Sequence, residues 1–231
     1  KNVDSGYFNF EGVAAPTPLT WYPTLAAGTI TGQSQAAWSI SGNSDYIVLG
    51  GEFTRVNGRL QQGLTRFARV ELAPNKEGAQ LHGLNYKPEL SSPVAGLVRG
   101  RIQANYDNDN ENLTYNVFRQ GTAEPVYTTQ VRSTFWQRPM IDFIDTNNLT
   151  PGTNYRYRVQ VVDPHGNTVT GDWTDVITGT TPISDYGLRV LLDKANAYYR
   201  LNESTGSTVY DSWGSKNGTL VGTATRGVNG A

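Results

Sequence analysis

The 231-residue chain carries 19 Lys and Arg against 20 Asp and Glu, a net charge of −1, and no Cys. Without cysteine there is neither a disulfide framework nor a thiolate metal site, and without a basic excess there is no phosphate-binding face, which argues against nucleic acid. Charged residues make up 17% of the chain while 25 Gly and 11 Pro punctuate it, the composition of many short strands joined by turns and therefore of an all-β protein.

No apolar run approaches the roughly 18–20 residues that cross a bilayer, so no membrane insertion is expected. Residues 1–20 lack a basic start followed by an apolar core, so no signal peptide is expected in them. A surface dominated by neutral hydrogen-bonding side chains suits an extracellular, secreted or cell-surface protein.

In chain order, Tyr7, Phe8 and Phe10 form an aromatic cluster, followed by a connector through Pro18. Trp21-Tyr22-Pro23 opens the next segment. Ala37-Trp38-Ser39-Ile40 reads as a strand, Gly42-Asn43-Ser44-Asp45 as a turn, and Tyr46-Ile47-Val48-Leu49 as a strand entering Gly50-Gly51-Glu52-Phe53. Asn57-Gly58 is a two-residue hairpin signal, and Leu64 to Ala68 alternates as a further strand. Strand content of this density over residues 1–72 is that of a single propeller blade. The stretch from Ala36 to Ala68 resembles the propeller-like repeats of large actinobacterial surface proteins, in which the GGEF and VNG elements recur once per repeat; one copy is visible here.

Residues 73–92 read as a linker, broken by Pro74, Asn75, Pro88 and Pro93 at its edge. From 93 to 180 a second pattern begins. Val94 and Leu97 suit a first strand, and Ile102, Ala104 and Tyr106 alternate on a second. Leu113 to Phe118 is a third and Val126 to Thr128 a fourth, with Ile141 to Ile144 next and Trp173 to Ile177 last. Between these last two lies Leu149-Thr150-Pro151-Gly152, a sharp corner, followed by Tyr155, Tyr157, Val159 and Val161 on one face and Arg156, Arg158 and Gln160 on the other. A Tyr hydroxyl four residues past the Pro reaches back to the turn backbone. The spacing of Leu149, Pro151 and Tyr155 resembles the E–F corner of a fibronectin type III sandwich. The resemblance implies about seven strands packed as two sheets. It also places Tyr106 where that family usually has Trp.

Residues 181–231 change character. Ser184 or Asp185 caps a short helix expected to run through Asn196, with an apolar stripe of Leu188, Leu191, Leu192 and Ala195. The words Ala197 to Glu203, Tyr210-Asp211-Ser212 and Asn217 to Leu220 resemble the opening of a laminin-G-like, concanavalin-type lectin domain, with Tyr199 and Asn202 in place of its Trp and Gly. The expected architecture is thus an all-β chain: a fibronectin type III-like sandwich flanked by a partial propeller-like blade and the first strands of a lectin-like sandwich. Apolar faces around 36–68 and 185–231 are expected to be covered by other domains of a longer chain or by other chains of an assembly, through strand addition.

Chemistry-bearing residues are sparse. His82 and His165 stand apart with no nucleophile or ligand set in view, and no hydrolase, P-loop, zincin or dinucleotide motif occurs. No catalysis is expected. Asp107, Asp109 and Glu111 alternate in one loop, so a calcium site is weighed against a merely solvated acidic loop, the preferred reading. Trp38, Trp173 and Trp213 fit strand cores, whereas Trp136 falls outside any alternation and is the candidate for stacking on a sugar ring. Sequons at Asn112, Asn148, Asn202 and Asn217 are expected to be unused, given the bacterial resemblance. Two function classes follow. One is a non-catalytic binding or spacer segment of a modular surface protein, adhesive or carbohydrate-binding. The other is an accessory region of an extracellular hydrolase or a component of a filament or phage tail fibre. No cofactor is expected beyond the calcium alternative, and glycans are the candidate ligands.

Overall fold

The computed structural model of the chain describes residues 12–14, 20–73, 76–193, 195, 197–212 and 216–226. The Tyr7–Phe10 cluster, Pro18, Pro74, Asn75, Asn196 and Trp213 lie outside the described residues.

The first part holds β1 (Leu25–Ala26), β2 (Ala37–Gly42), β3 (Tyr46–Gly51), β4 (Arg55–Val56), β5 (Arg59–Leu60) and β6 (Leu64–Ala68). They form two three-stranded sheets, ordered β1-β4-β5 and β2-β3-β6, with antiparallel pairing throughout. The strands expected here as a single propeller-like blade are thus divided between two sheets among the described residues. Asn57 and Gly58 take φ of +48° and +75°, the twist of a type I′ turn, and close β4 on β5 as a separate hairpin. Strand β2 is exposed along its whole length. Trp38, expected in a strand core, is 53% exposed beside a register shift between Ala37 and Ser39. An edge strand with neither side covered has no core to offer it.

The sandwich comprises β7 (Glu89–Ser91), β8 (Val98–Gln103), β9 (Asn112–Arg119), β10 (Tyr127–Arg132), β11 (Met140–Asp145), β12 (Asn154–Val162), β13 (Thr168–Thr170) and β14 (Thr174–Ile177). One sheet runs β11-β8-β7, the other β10-β9-β12-β13, with β14 also paired to β12. With β13 and β14 as halves of one strand, this is the three-against-four arrangement of a fibronectin type III-like sandwich. The period of two puts Leu113, Tyr115 and Val117 of β9 and Tyr157, Val159 and Val161 of β12 inside, facing Val98, Ile102, Ile141 and Phe143.

Three sequence expectations are corrected by this core. Val94 and Leu97 sit in the connection between β7 and β8. Tyr106 lies beyond the end of β8, half-buried, with the Arg138 guanidinium 5.6 Å from its ring centre; the buried rings of this core are Tyr86, Tyr115, Phe143 and Tyr157. Trp173 is half-buried under Arg158, 4.5 Å from its ring centre, because it precedes β14 on the side away from the core.

The stretch read as a linker is a strap. Ala79 and Tyr86 are buried in the sandwich core. The amide of Asn105, itself fully buried, accepts from Leu81 N at 3.0 Å and donates to Leu81 O at 2.7 Å. Gly83 N donates to Thr170 O and Gly83 O accepts from Asp172 N, each at 3.0 Å. Gly171 faces the Tyr86 carbonyl so closely that a Cβ would lie 1.8 Å from the oxygen. Only glycine fits there.

At the corner, Tyr155 Oη accepts Thr150 N at 3.0 Å and Gly152 turns at φ +73°. This bond is solvent-exposed. The buried anchor is one turn of the pleat further on. Tyr157 Oη donates to Asp145 Oδ2 at 2.8 Å, and Arg119 donates to the same oxygen at 2.8 Å, joining β12 and β9 to β11 on the opposite sheet.

Helix α1 (Asp185–Leu192) starts at Ser184, whose Oγ accepts Gly187 N at 3.2 Å. It ends earlier than expected, with Leu192 exposed. Leu191 seats against Val94 and Leu97, with Ile144, Ile183, Leu188 and Tyr198 around them. Beyond it, β15 (Thr208–Val209) and β16 (Gly218–Thr219) form a small hairpin, and Leu201, Tyr210 and Val221 are exposed.

The two tyrosines of β12 separate by experiment. Tyr157→Phe leaves a fully buried carboxylate oxygen with Arg119 as its one remaining partner and should cost about 1–3 kcal/mol. Tyr155→Phe loses a bond that water replaces and should cost less. Urea midpoints of both variants measure this, and an equal or larger loss for Tyr155→Phe would refute the ranking.

Candidate functional site

The sequence Thr20-Trp21-Tyr22 crosses from the first part of the chain to the sandwich, and its three side chains go to three different partners. Thr20 Oγ1 donates to Glu111 Oε1 at 2.5 Å. Trp21 packs edge-on against Phe67 of β6, ring centres 5.2 Å apart. Tyr22 packs on Phe135 at 4.9 Å, and its N–H donates to Asn108 O at 3.0 Å. An extended backbone sends successive side chains to opposite sides. The pair Trp21 and Tyr22 thereby staples sheet β2-β3-β6 to the sandwich.

Phe135 and Trp136 form the tip of the β10–β11 loop. Thr134 N donates to Gln137 O at 2.9 Å, and Gln137 N returns a bond to Thr134 Oγ1 at 3.0 Å. The loop is cinched beneath them, leaving both rings about half exposed, 53% and 50%, and edge-on to each other at 4.7 Å. Tyr22, Phe135 and Trp136 thus make a continuous aromatic row. Trp136, the residue singled out from sequence, has two neighbours in it that sequence reasoning missed. Their separation in the chain hides them, though the Trp21-Tyr22-Pro23 and Phe135-Trp136 doublets were visible.

Beside the row lies a cleft of about 380 Å³, lined by Trp21, Tyr22, Asn57, Arg66, Phe67, Lys76, Asn108, Asp109, Asn110 and His165 among others. His165 reaches it from a tight turn in which Asp163 Oδ1 accepts both His165 N and Asn167 N at 2.8 Å. His82 is exposed on the strap and takes no part.

The loop read as a calcium candidate is split rather than converging. Glu111 turns outward, accepting Arg132 Nε at 2.5 Å as well as Thr20, and these partners hold its carboxyl below the usual range. Asp107 turns inward and is fully buried; its Oδ1 accepts Asp109 N at 3.3 Å and its Oδ2 has no partner. Asp109 lines the cleft. Among the described residues no group of three or more metal-binding side chains converges. Arg132 and Thr20 withdraw the third carboxylate that a calcium loop requires.

Asp107 is the most perturbed acid of the site. Burial, followed by the hydrogen bond and charge of Asp109, pushes it up to about 8. Tyr22, beside it, rises to about 12, first by burial and then by the proximity of Tyr106 and Asp107. A strongly shifted group next to a cleft marks a candidate functional site. Here it also marks the junction of two bodies.

No family model matches the chain, and no curated protein sequence matches it. Among solved structures, the sixth fibronectin type III domain of human fibronectin type III domain containing protein 3 is similar at 13% identity, with a TM-score of 0.31. The match spans 48% of this chain and 95% of that one.

The Asp107 shift has a direction in stability. The folded protein holds this proton well above the ordinary 3.8, so folding is favoured at low pH and stability declines as pH rises from about 4 to about 8. Asp107→Asn removes the ionisation. Its melting temperature relative to the parent should climb between about pH 4 and about pH 8, and parallel pH profiles would contradict this.

Proposed function

We propose that the chain is a non-catalytic binding and spacer segment of a secreted or cell-surface modular protein, adhesive or carbohydrate-binding. The sandwich sits between two attached bodies and holds the aromatic-lined cleft at one junction. The observation that carries this reading is the double clamp. Thr20, Trp21 and Tyr22 fasten one body, and Leu191 of α1 fastens the other against Val94 and Leu97. A spacer must transmit position, and packed contacts on both sides do that better than free linkers.

Absence of catalysis is part of the proposal. His165 lies in the cleft with no nucleophile in hydrogen-bond reach among the described residues, and Asp107 is closed off from solvent. Partners of the segment are neighbouring domains or chains laid against β2, all six residues of which are exposed. Its edge carries no Lys, Pro or inward charge to block strand addition. Glycans are the ligand class for the cleft. Among the described residues no helix is long and apolar enough to cross a membrane.

The absence of cysteine allows clean site-specific spin labelling. Labels at Ser44→Cys and Gln130→Cys, on the small sheet and the sandwich, should give one narrow distance distribution by pulsed dipolar spectroscopy. Adding Tyr22→Ala should broaden it. A broad distribution in the parent chain would refute the spacer reading.

A further inference from the structure

The cleft beside the aromatic row has a lopsided charge. Arg66 comes from β6, with its guanidinium 4.8 Å from the Tyr46 ring centre, and Lys76 comes from the start of the strap. Neither is in an ion pair among the described residues. The single carboxylate on the lining is Asp109, which accepts Asn110 Nδ2 at 2.9 Å. A paired surface needs no anion; two exposed cations against one engaged carboxylate attract one.

The amides are also partly spent, in a complementary way. Asn57 uses Oδ1 to accept Thr24 N at 2.9 Å, leaving its NH2 as a donor. Asn110 uses its NH2 on Asp109, leaving Oδ1 as an acceptor. The Asn108 side chain keeps both. Donors, acceptors and cations thus stand next to the rings of Trp21 and Tyr22 in one cavity of about 380 Å³, within the range of small-ligand sites. Hydrophobic ligands would leave these amides and cations unsolvated. A small inorganic anion would leave the rings unused. A sugar ring offers both an apolar C–H face and a rim of hydroxyls.

We propose that this cleft binds an acidic saccharide. The C–H face of the sugar rests on Trp21 and Tyr22, its hydroxyls meet Asn57, Asn108 and Asn110, and its carboxylate lies between Arg66 and Lys76. The inference rests on the binding function proposed above and names the ligand class. Because the lining comes from both bodies, the ligand bridges them.

Titration calorimetry of the full chain with trigalacturonate is the test, run beside the neutral trisaccharide maltotriose and inorganic phosphate. Trigalacturonate should bind at least about tenfold more tightly than either, and more weakly as salt is raised. Arg66→Gln and Lys76→Gln, both exposed and outside any core, should each weaken it about fivefold with near-UV circular dichroism unchanged. Phosphate binding as tightly as trigalacturonate would reduce the site to an anion pocket and overturn the saccharide. Maltotriose binding equally well would overturn the acid requirement. Saccharide binding untouched by both variants would overturn the cleft while leaving a binding function intact. No binding at all, with the spin-label distance still narrow, would overturn this inference and leave the spacer role standing.

Discussion

One hydroxyl ties the two layers of the sandwich together. Tyr157 is wholly buried at the centre of β12, and its Oη reaches Asp145 on the opposite sheet. Strand β12 is hydrogen-bonded to β9 along one edge and to β13 and β14 along the other. A displacement of Tyr157 is therefore a displacement of four strands at once. Arg119 completes the arrangement, neutralising a carboxylate whose side chain has no exposure of its own and also donating to Asn147 O at 2.7 Å. The pair joins strands, and its two hydrogen-bonded partners offset the cost of taking the charge out of water. The exposed Tyr155 bond lies outside this centre and serves the corner only.

Around that centre, short-range chemistry was legible and long-range chemistry was not. Leu113–Phe118 was legible as a strand, and alternation over Tyr155–Val161 gave a strand and its two faces, because a period of two is a local property. The Asn57-Gly58 turn and the Ser184 cap were legible for the same reason. Hidden were the contacts whose partners lie far apart. The strap looked like a linker because Pro74 and Asn75 break its pattern, yet its order comes from Asn105, 24 residues from Leu81. Asp145 and Arg119, 26 residues apart, carry no shared motif. Trp38 and Trp173 were assigned to cores by hydrophobicity alone, and burial depended instead on whether a second layer existed over that face.

The acidic loop shows the same division. From sequence, alternate carboxylates in Asp107-Asn108-Asp109-Asn110-Glu111 share one side of an extended chain. In the fold they part, because Glu111 has Arg132 and Thr20 to meet while Asp107 is covered by the arrival of Tyr22. Of the residues that decide the fate of this loop, Thr20 and Tyr22 come from more than 80 positions earlier in the chain, and Arg132 follows Glu111 by 21 positions. Local spacing can nominate ligands, but which way each points is set by what packs on top.

The same packing explains why the small sheets are worth holding against the sandwich. Among described residues from 20 to 73, the buried apolar side chains are Leu49, Phe53 and Val56, too small a core to offset the entropy of ordering that much chain alone. Their order leans on Trp21 and Tyr22. Those two rings are also walls of the cleft, so contents of the cleft and attachment of the first body are thermodynamically linked. Whatever binds there prefers the docked arrangement, and docking in turn preforms the site. Asp107 works against this economy, since a buried carboxyl with one oxygen lacking a partner weakens the junction it sits in.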